Sequence, residues 1–289
     1  MFAQLVLSGL SNGSIYALAA LGMTVLFRAT TVVHFGFGEM FMAGAFVVYV
    51  LLKLVGLPYA VAAVLACVLL FLIGGLIEFG LMRRMRHAPH LSLAMMTIAV
   101  SFLLKGIARI FWGRDVLPMP PIFDFDPIII GNVILTAQDA VIGGATLGLV
   151  AVFLLVFRYS WLGKIAQAAS LSPRGAALVG LNVPRFHWMM WGVTAMMGAI
   201  GGILVAPVTL LYPDMGAQTL TRAFAAMTLG GFGNLGGAVV GGLAVGVIEQ
   251  LAGGYVATSL IDVAGYVVII AVLLLRPNGI FGRQDVVRV

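Results

Sequence analysis

The most conspicuous shortage in this sequence is charge. Asp, Glu, Lys and Arg make up 9% of its 289 residues, whereas a soluble domain carries about 25%. Apolar residues make up 62%, and the mean hydropathy is +1.13. This composition excludes an ordinary soluble domain. It predicts an all-α polytopic membrane protein, because long apolar stretches cross bilayers as helices.

Cysteine, histidine and nucleotide-binding motifs are also scarce. The single cysteine, Cys67, lies in an apolar run and cannot form an internal disulfide. The four histidines are dispersed along the chain. The glycine-rich run 230–237 lacks the lysine of a phosphate-binding loop and the strand that precedes one. We therefore expect no catalytic residues, no metal and no cofactor bound by this chain, and we do not expect an enzyme.

Long apolar stretches account for most of the chain and predict a single transmembrane domain over residues 1–289. A polar segment, 158–188, interrupts them. The predicted fold is a bundle of about eight transmembrane helices plus a glycine-broken half-helix element in Thr221–Gly253. The complete spans are predicted at Phe2–Phe27, Thr31–Leu54, Tyr59–Met82, Leu91–Trp112, Gln138–Phe157, Met189–Tyr212 and Val256–Leu275.

Basic residues predict the orientation of these spans. The positive-inside rule makes all four basic clusters cytoplasmic. The N-terminus is then outside and the C-terminus inside, which requires Thr221–Gly253 to cross twice and gives nine crossings in total. We expect a half-helix there, a turn near Gly233-Asn234 and a helix from about Gly237. The four clusters lie at Arg28, Arg83–Arg86, Arg158–Arg185 and Arg276–Arg288.

Polar side chains within the spans have several interpretations. Asn12 and Tyr16 are one helical turn apart, which favours hydrogen bonding between helices over contact with a ligand. Lys105 and Arg109 are one turn apart near the end of the fourth span. We expect both of these side chains to extend towards the membrane surface.

The start of the second predicted span combines ionisable residues with glycine. His34 and Glu39 flank Gly36 and Gly38, a pattern typical of a discontinuous helix that lines a wet pathway. The alternative is that His34 and Glu39 lie at headgroup depth, a few residues beyond Arg28. The sequence leaves both interpretations open.

Glu249 is predicted to lie on the same helix face as Gly242, Gly246 and Gly253. A carboxylate on such a face must pack against a neighbouring helix, so its partner should be a donor such as a hydroxyl or a base. The residues predicted to line a translocation pathway are Asn12, Tyr16, His34, Gly36, Gly38, Glu39, Gly233, Asn234 and Glu249.

The longest stretch that could not lie in hydrocarbon is Lys164–Trp188. Ser172-Pro173 predicts a helix start within it, because serine caps free N–H groups and proline is tolerated in the first turn. Gly180-Leu181-Asn182 is typical of a helix end. A short amphipathic helix over Ala176–Leu181, on the basic side, is either a docking element for a soluble partner or an ordinary connecting loop.

Five motifs distributed along nearly the whole chain are, taken together, specific. With them the chain resembles a permease subunit of ATP-binding-cassette importers of the branched-chain amino-acid class, and in particular the first of the two permeases in such importers. The motifs are GLSNGSIYALAALGMTVLFRAT, HFGFGEMFMAGAF, AALVGLNVPRFHWMMWGVTAMMGAIGGILVAP, GGFGNLGGAVVGGLAVGVIEQL and LLLRPNGIFG.

The resemblance implies partners for the chain in a bacterial cytoplasmic membrane. These are a second homologous permease, two cytoplasmic ATP-binding subunits that hold ATP and Mg, and a periplasmic substrate-binding protein, with no nucleic acid. Segment 158–188 would couple the chain to the ATP-binding subunits. The residues implied to make that contact are Arg174, Gly175, Ala176, Ala177, Leu178, Gly180 and Leu181.

The cargo implied is a branched-chain or related amino acid or a small carboxylate. The family usually reads Asn-Phe-Ala-His-Gly-Glu where this chain has His34–Glu39, a departure that favours an aromatic or other carboxylate-bearing cargo over a leucine-like one. The competing hypothesis is a stand-alone ion- or proton-coupled secondary transporter with Glu39 and Glu249 as carriers. A passive channel is a third.

Overall fold

The computed structural model describes residues 1–122, 128–130 and 133–282 of the chain. Helices dominate this part, with a 3-10 turn at Met82–Met85 and one antiparallel hairpin of β1 (Ile128–Ile130) and β2 (Val133–Leu135). The helices are α1 (Phe2–Thr30), α2 (Phe37–Lys53), α3 (Tyr59–Gly80), α4 (His90–Trp112), α5 (Ala137–Tyr159), α6 (Trp161–Leu171), α7 (Pro173–Leu178), α8 (Val183–Thr209), α9 (Met215–Gly230), α10 (Leu235–Tyr255) and α11 (Leu260–Leu275).

Six of the described helices are long and apolar enough to cross a membrane: α1, α3, α4, α5, α8 and α10. The predicted class, an all-α polytopic membrane protein, is therefore confirmed. Helix α11 is apolar but has 16 residues, and α2 and α9 have 17 and 16. The count of about eight spans thus depends on how these three shorter helices are treated.

The glycine-rich region contains the predicted break. Helix α9 ends at Gly230 and α10 begins at Leu235, two residues before the predicted start. Gly231 and Gly233 have φ angles of +96° and +80°, which glycine adopts without a steric penalty. Helix α10 has 21 residues, so the second arm of the element is a helix of full length.

The described residues divide into two compact units. The terminal unit comprises the described residues within Met1–Thr24, Phe125–Leu154 and Thr221–Val289. The central unit comprises the described residues within Val25–Asp124 and Leu155–Leu220. The single domain proposed for residues 1–289 stays a prediction.

Small residues bring α1 and α10 together in the terminal unit. A Cβ atom on Gly9 or Gly13 would collide with the α10 backbone at Val247 and Leu243, and one on Gly246 would collide with Gly13. Substituting any of these glycines would force the two helices apart. Close backbone contact of this kind is how membrane helices associate where no hydrophobic driving force exists between them.

Helices α2, α3 and α8 pack against one another in the central unit. Gly44 of α2 lies against Ala199 of α8, and Gly74 of α3 lies against the Trp191 backbone. Part of the core beside these contacts is an apolar cluster whose buried members are Met42, Ala45, Phe46, Val48, Ala62, Ala66, Ala108, Met119, Ile203, Ala206, Leu211 and Met215.

Candidate functional site

The buried carboxylate of Glu249 has the donors that the sequence predicted. It lies on α10 in the terminal unit and is 2% exposed. Arg222 of α9 binds it from 2.7 Å, and the Tyr16 hydroxyl of α1 donates a hydrogen bond to it. The arginine of one helix thus neutralises the charge of the carboxylate, and the tyrosine hydroxyl of another helix supplies a further hydrogen bond. This confirms the predicted type of partner.

Arg222 was not identified from the sequence. Its guanidinium also lies 3.5 Å from Asp262 at the start of α11 and 5.6 Å from the centre of the Tyr16 ring. The available signal was a single cation inside the glycine-rich region, which must find a counter-charge when it is removed from water. Asn12, one turn before Tyr16, is half-buried.

Gly233 and Asn234 occupy a different part of the terminal unit from Glu249. Asn234 is the N-cap of α10 and accepts a hydrogen bond from the Gly237 amide at 3.0 Å. Its amide nitrogen donates to the Phe281 carbonyl at 2.9 Å. Fifteen residues of helix, about 22 Å, separate it from Glu249. These predicted pathway residues therefore do not form one cluster within the unit.

The predicted interruption of the second span by Gly36 and Gly38 is not present, because α2 runs without a break from Phe37 to Lys53 and includes Gly38. Residues Val32–Gly36 are not helical, and α2 begins at Phe37. The Phe35 amide donates to the Thr97 hydroxyl at 3.1 Å, which satisfies a backbone donor just before the start of α2. The segment Val32–Gly36 therefore belongs to the connection between α1, which ends at Thr30, and α2, which is shorter than the predicted span Thr31–Leu54.

His34 lies inside the central unit. Its side chain is 2% exposed, and its ring centre is 4.7 Å from that of Trp191. Within the described part of the chain, neither ring nitrogen has a hydrogen-bond partner. Protein therefore encloses the ring, and the alternative that His34 and Glu39 lie at headgroup depth stays a prediction.

Glu39 is 1% exposed and pairs with Lys105 of α4 at 3.0 Å. The expectation that Lys105 extends towards the membrane surface is wrong, since this side chain turns inward and is 17% exposed. Arg109 is 41% exposed and contacts both carboxylate oxygens of Asp214, at 2.8 and 2.9 Å. Sequence reasoning missed both ion pairs, because nothing local in the sequence links α4 to Glu39 or Asp214.

Gly38 places the first turn of α2 directly against the first turn of α9. A Cβ atom on Gly38 would collide with the Gly216 carbonyl, and one on Gly216 would collide with the Gly38 carbonyl. Glycine at both positions is therefore what allows Glu39 and Asp214 to approach the same lysine. Gly36, by contrast, faces the backbone of α4 near Thr97 and Ser101.

The predicted coupling segment is helical. Helix α7 begins at Pro173, and the Ser172 hydroxyl accepts a hydrogen bond from the Gly175 amide at 3.0 Å, which confirms the predicted start. The helix ends at Leu178, three residues before the predicted end, and Gly180 has a φ of +85°. Helix α6, which precedes α7, was not predicted.

The end of α7 presents apolar side chains to the outside. Leu178 is 89% exposed and Val179 is 76% exposed. Ala177 and Gly180 are exposed, Gly175 and Leu181 are half-buried, and Ala176 is buried at 3%. Ala176 therefore faces inward rather than towards a partner, and the side chain of Arg174 lies outside the described residues.

Arg83 connects the end of α3 to the start of α8, just beyond α7. It pairs with the buried Glu78 at 2.9 Å and donates to the Pro184 carbonyl at 3.3 Å. Its guanidinium also lies 4.9 Å from the centre of the Phe79 ring. The sequence indicated only a cytoplasmic basic cluster at this position, since a partner about a hundred residues away leaves no local trace.

Long apolar helices, with buried ionisable groups inside the protein and non-helical backbone beside one of them, are typical of multi-pass transport proteins. A family model described as branched-chain amino acid transport system / permease component matches residues 5–275. The chain belongs to this family of transport permeases.

Relatives match over almost their full length. The chain is 29% identical to the high-affinity branched-chain amino acid transport system permease protein LivH of Salmonella typhimurium, covering 100% of this chain and 98% of the relative. It is 27% identical, with the same coverage, to the corresponding permease protein BraD of Pseudomonas aeruginosa. A structure of PsaBC from Streptococcus pneumoniae in complex with Fab shares the fold, with a TM-score of 0.50 and 13% identity over 94% of this chain and 91% of that chain.

Proposed function

We propose that this chain is a permease subunit of an ATP-driven importer and forms the translocation pathway with a second, homologous permease. Its cargo is a branched-chain or related amino acid or a small carboxylate. The observation that carries this proposal is the match to the permease family over residues 5–275, with relatives of nearly equal length whose names specify branched-chain amino acids. The stand-alone secondary transporter has no support among these relatives.

The proposed partners are supported by the same comparison, because the relatives are permease components of transport systems. Two cytoplasmic subunits bind and hydrolyse ATP with Mg, and a periplasmic binding protein delivers the cargo. The chain itself binds no cofactor. In this proposal the chain crosses the bacterial cytoplasmic membrane nine times, with the N-terminus outside and the C-terminus inside, an orientation supported by the basic clusters, which then all face the cytoplasm.

The end of α7 is the proposed contact with an ATP-binding subunit. Leu178 and Val179 expose apolar surface at the end of a helix that is fixed by a cap at Ser172 and a turn at Gly180. Exposed apolar side chains on a fixed element are typical of interaction sites. The smaller Ala177 beside them leaves space for a partner's surface.

The test is the substitution Ala177→Glu in the complete importer. A charged side chain at this exposed position should leave folding and membrane abundance unchanged but prevent docking. We expect weak co-purification with the ATP-binding subunits and loss of cargo-stimulated ATP hydrolysis. Ala177→Ser is the matched control and should behave like the wild type, because it preserves size and neutrality.

Gly180→Glu is a less direct test because Gly180 has a positive φ, where another residue costs about 1–2 kcal/mol. Its effect would combine backbone strain with the added charge. Full uptake by Ala177→Glu at wild-type abundance would contradict the importer proposal, since a stand-alone transporter has no partner at this surface.

A further inference from the structure

Four charged residues of the central unit form a row that we call the charge ladder: Glu39, Lys105, Asp214 and Arg109. Their charges alternate in sign along this order. Lys105 lies 3.0 Å from Glu39 and 3.9 Å from Asp214, and Arg109 lies 2.8 Å from Asp214. The ladder carries no net charge, so a ligand that enters it without disturbing the balance must also be neutral overall.

The ladder leads from the surface of the central unit into its interior. The side chains of Arg109 and Asp214 are 41% and 50% exposed, that of Lys105 is 17% exposed and that of Glu39 is 1% exposed. Among the described residues, the second carboxylate oxygen of Glu39 is buried without a hydrogen-bond partner. Only one of the two oxygens of the innermost carboxylate, that of Glu39, therefore has a partner among the described residues.

The contact between Lys105 and Asp214 is the loosest of the three. At 3.9 Å it is an ion pair without a hydrogen bond, whereas the other two contacts are within hydrogen-bonding distance. Asp214 is half-exposed and precedes α9, and Lys105 has a long flexible side chain. This is the contact that opens with the smallest loss of interaction energy.

We propose that the charge ladder binds the zwitterionic head of an α-amino acid between Lys105 and Asp214, an inference that rests on the proposed import function. The carboxylate of the ligand accepts hydrogen bonds from the Lys105 ammonium, and its ammonium group donates to Asp214. Both new contacts are charge-assisted hydrogen bonds, which replace a loose ion pair. Glu39 keeps its ion pair with Lys105, and Arg109 keeps its ion pair with Asp214.

Apolar side chains adjoin the ladder and suit the remainder of such a ligand. Met215 follows Asp214 and is 5% exposed, and Ala108 precedes Arg109 and is 4% exposed. Both belong to one apolar cluster with Leu211 and Phe46. An apolar ligand side chain, branched or aromatic, therefore suits this neighbourhood better than a charged one.

The experiment measures equilibrium binding of radiolabelled L-leucine to the purified complete transporter in nanodiscs, without its binding protein. Competitors are 3-methylbutylamine, which lacks the carboxylate, and 4-methylpentanoate, which lacks the ammonium group. We expect each to compete at least about tenfold more weakly than unlabelled leucine, because each loses one charge-assisted hydrogen bond.

Variants test the two contacting residues separately. Lys105→Gln and Asp214→Asn should each weaken leucine binding by about tenfold or more, while Lys105→Arg and Asp214→Glu should recover most of the affinity. Lys53→Gln is the matched control, since Lys53 is exposed at the end of α2 and lies outside the ladder. The melting temperature of each variant is measured in parallel.

Three results would overturn the inference. Unchanged leucine affinity in Lys105→Gln and Asp214→Asn, with lowered melting temperatures, would show that the ladder is only structural. Equal competition by the amine or the acid would show that the ligand's charges are not recognised. Uptake of labelled L-leucine and L-phenylalanine by the wild-type importer with its binding protein separates these failures from failure of the proposed function, because absence of uptake of both amino acids would refute both proposals.

Discussion

Replacement of Glu249 is expected to affect the protein in proportion to the hydrogen bonding that the new side chain retains. The carboxylate and its partner Arg222 are 3% and 13% exposed, so water offers little compensation if one of them is removed. Loss of one partner from a buried ion pair costs about 3–5 kcal/mol, because the other charge stays buried. Asp262 offsets little of this, since it is 72% exposed and 3.5 Å away.

Glu249→Leu should therefore lose about 3–5 kcal/mol of unfolding free energy. Glu249→Gln should lose less, because the amide oxygen still accepts hydrogen bonds from Arg222 and Tyr16. The double variant Glu249→Leu with Arg222→Leu should recover part of the loss by removing the unpaired cation. The assay is denaturant unfolding of the purified chain in mixed micelles, together with transport in the assembled importer.

Two results would contradict the pairing of Glu249 with Arg222. Equal unfolding free energy and equal transport in the Leu and Gln variants would mean that the carboxylate is not paired as described. A double variant that is less stable than Glu249→Leu alone would also contradict the argument, because Arg222 would then stabilise the protein even without the Glu249 carboxylate.

Two further predictions concern backbone contacts and capping. Gly38→Ala should sharply lower the amount of folded protein in the membrane, because its Cβ atom would collide with the Gly216 carbonyl. Gly106→Ala should not, because an added Cβ atom meets no neighbour within 4 Å there. The measurement is the detergent-resistant fluorescence of a C-terminal fusion. Asn234→Ala should lower the unfolding free energy by at least the roughly 0.5–2 kcal/mol of the α10 cap, because it also removes the hydrogen bond to the Phe281 carbonyl. Ser259→Ala should change it little, because the Ser259 side chain makes no capping hydrogen bond, and equal effects of the two substitutions would contradict the capping argument.

Features that depend on neighbouring residues were predictable from the sequence. The turn before Asn234 and the helix start at Ser172 both arise from the local properties of glycine, proline and capping side chains. The donor type at Glu249 was also predictable, because a buried carboxylate needs a donor whatever the fold. The positions of the helix ends were less accurate, as shown by α2 and α7.

Features that depend on pairing between distant helices were not predictable. Lys105 looks the same in the sequence whether it reaches the membrane surface or Glu39, and a single sequence contains no record of which helices meet. Helix α6 was missed for a related reason, since its mixture of small and polar residues resembles a connecting segment. The packing of Gly38 on Gly216 sets the position of Glu39 relative to Lys105, and a single sequence does not show which glycines pack together.

The ion pairs of the two units differ in when they can form during synthesis. Arg222 and Glu249 are 27 residues apart, so they emerge from the ribosome almost together and can enter the membrane as a neutral pair. Arg109 and Asp214 are 105 residues apart, and Arg109 waits for its partner through the synthesis of four intervening helices. Arg109 lies in the last turn of α4, so its side chain can stay at the membrane surface until Asp214 is synthesised. Assembly of the central unit therefore depends on nascent helices keeping unpaired charges at the membrane surface or against the insertion machinery until α9 arrives.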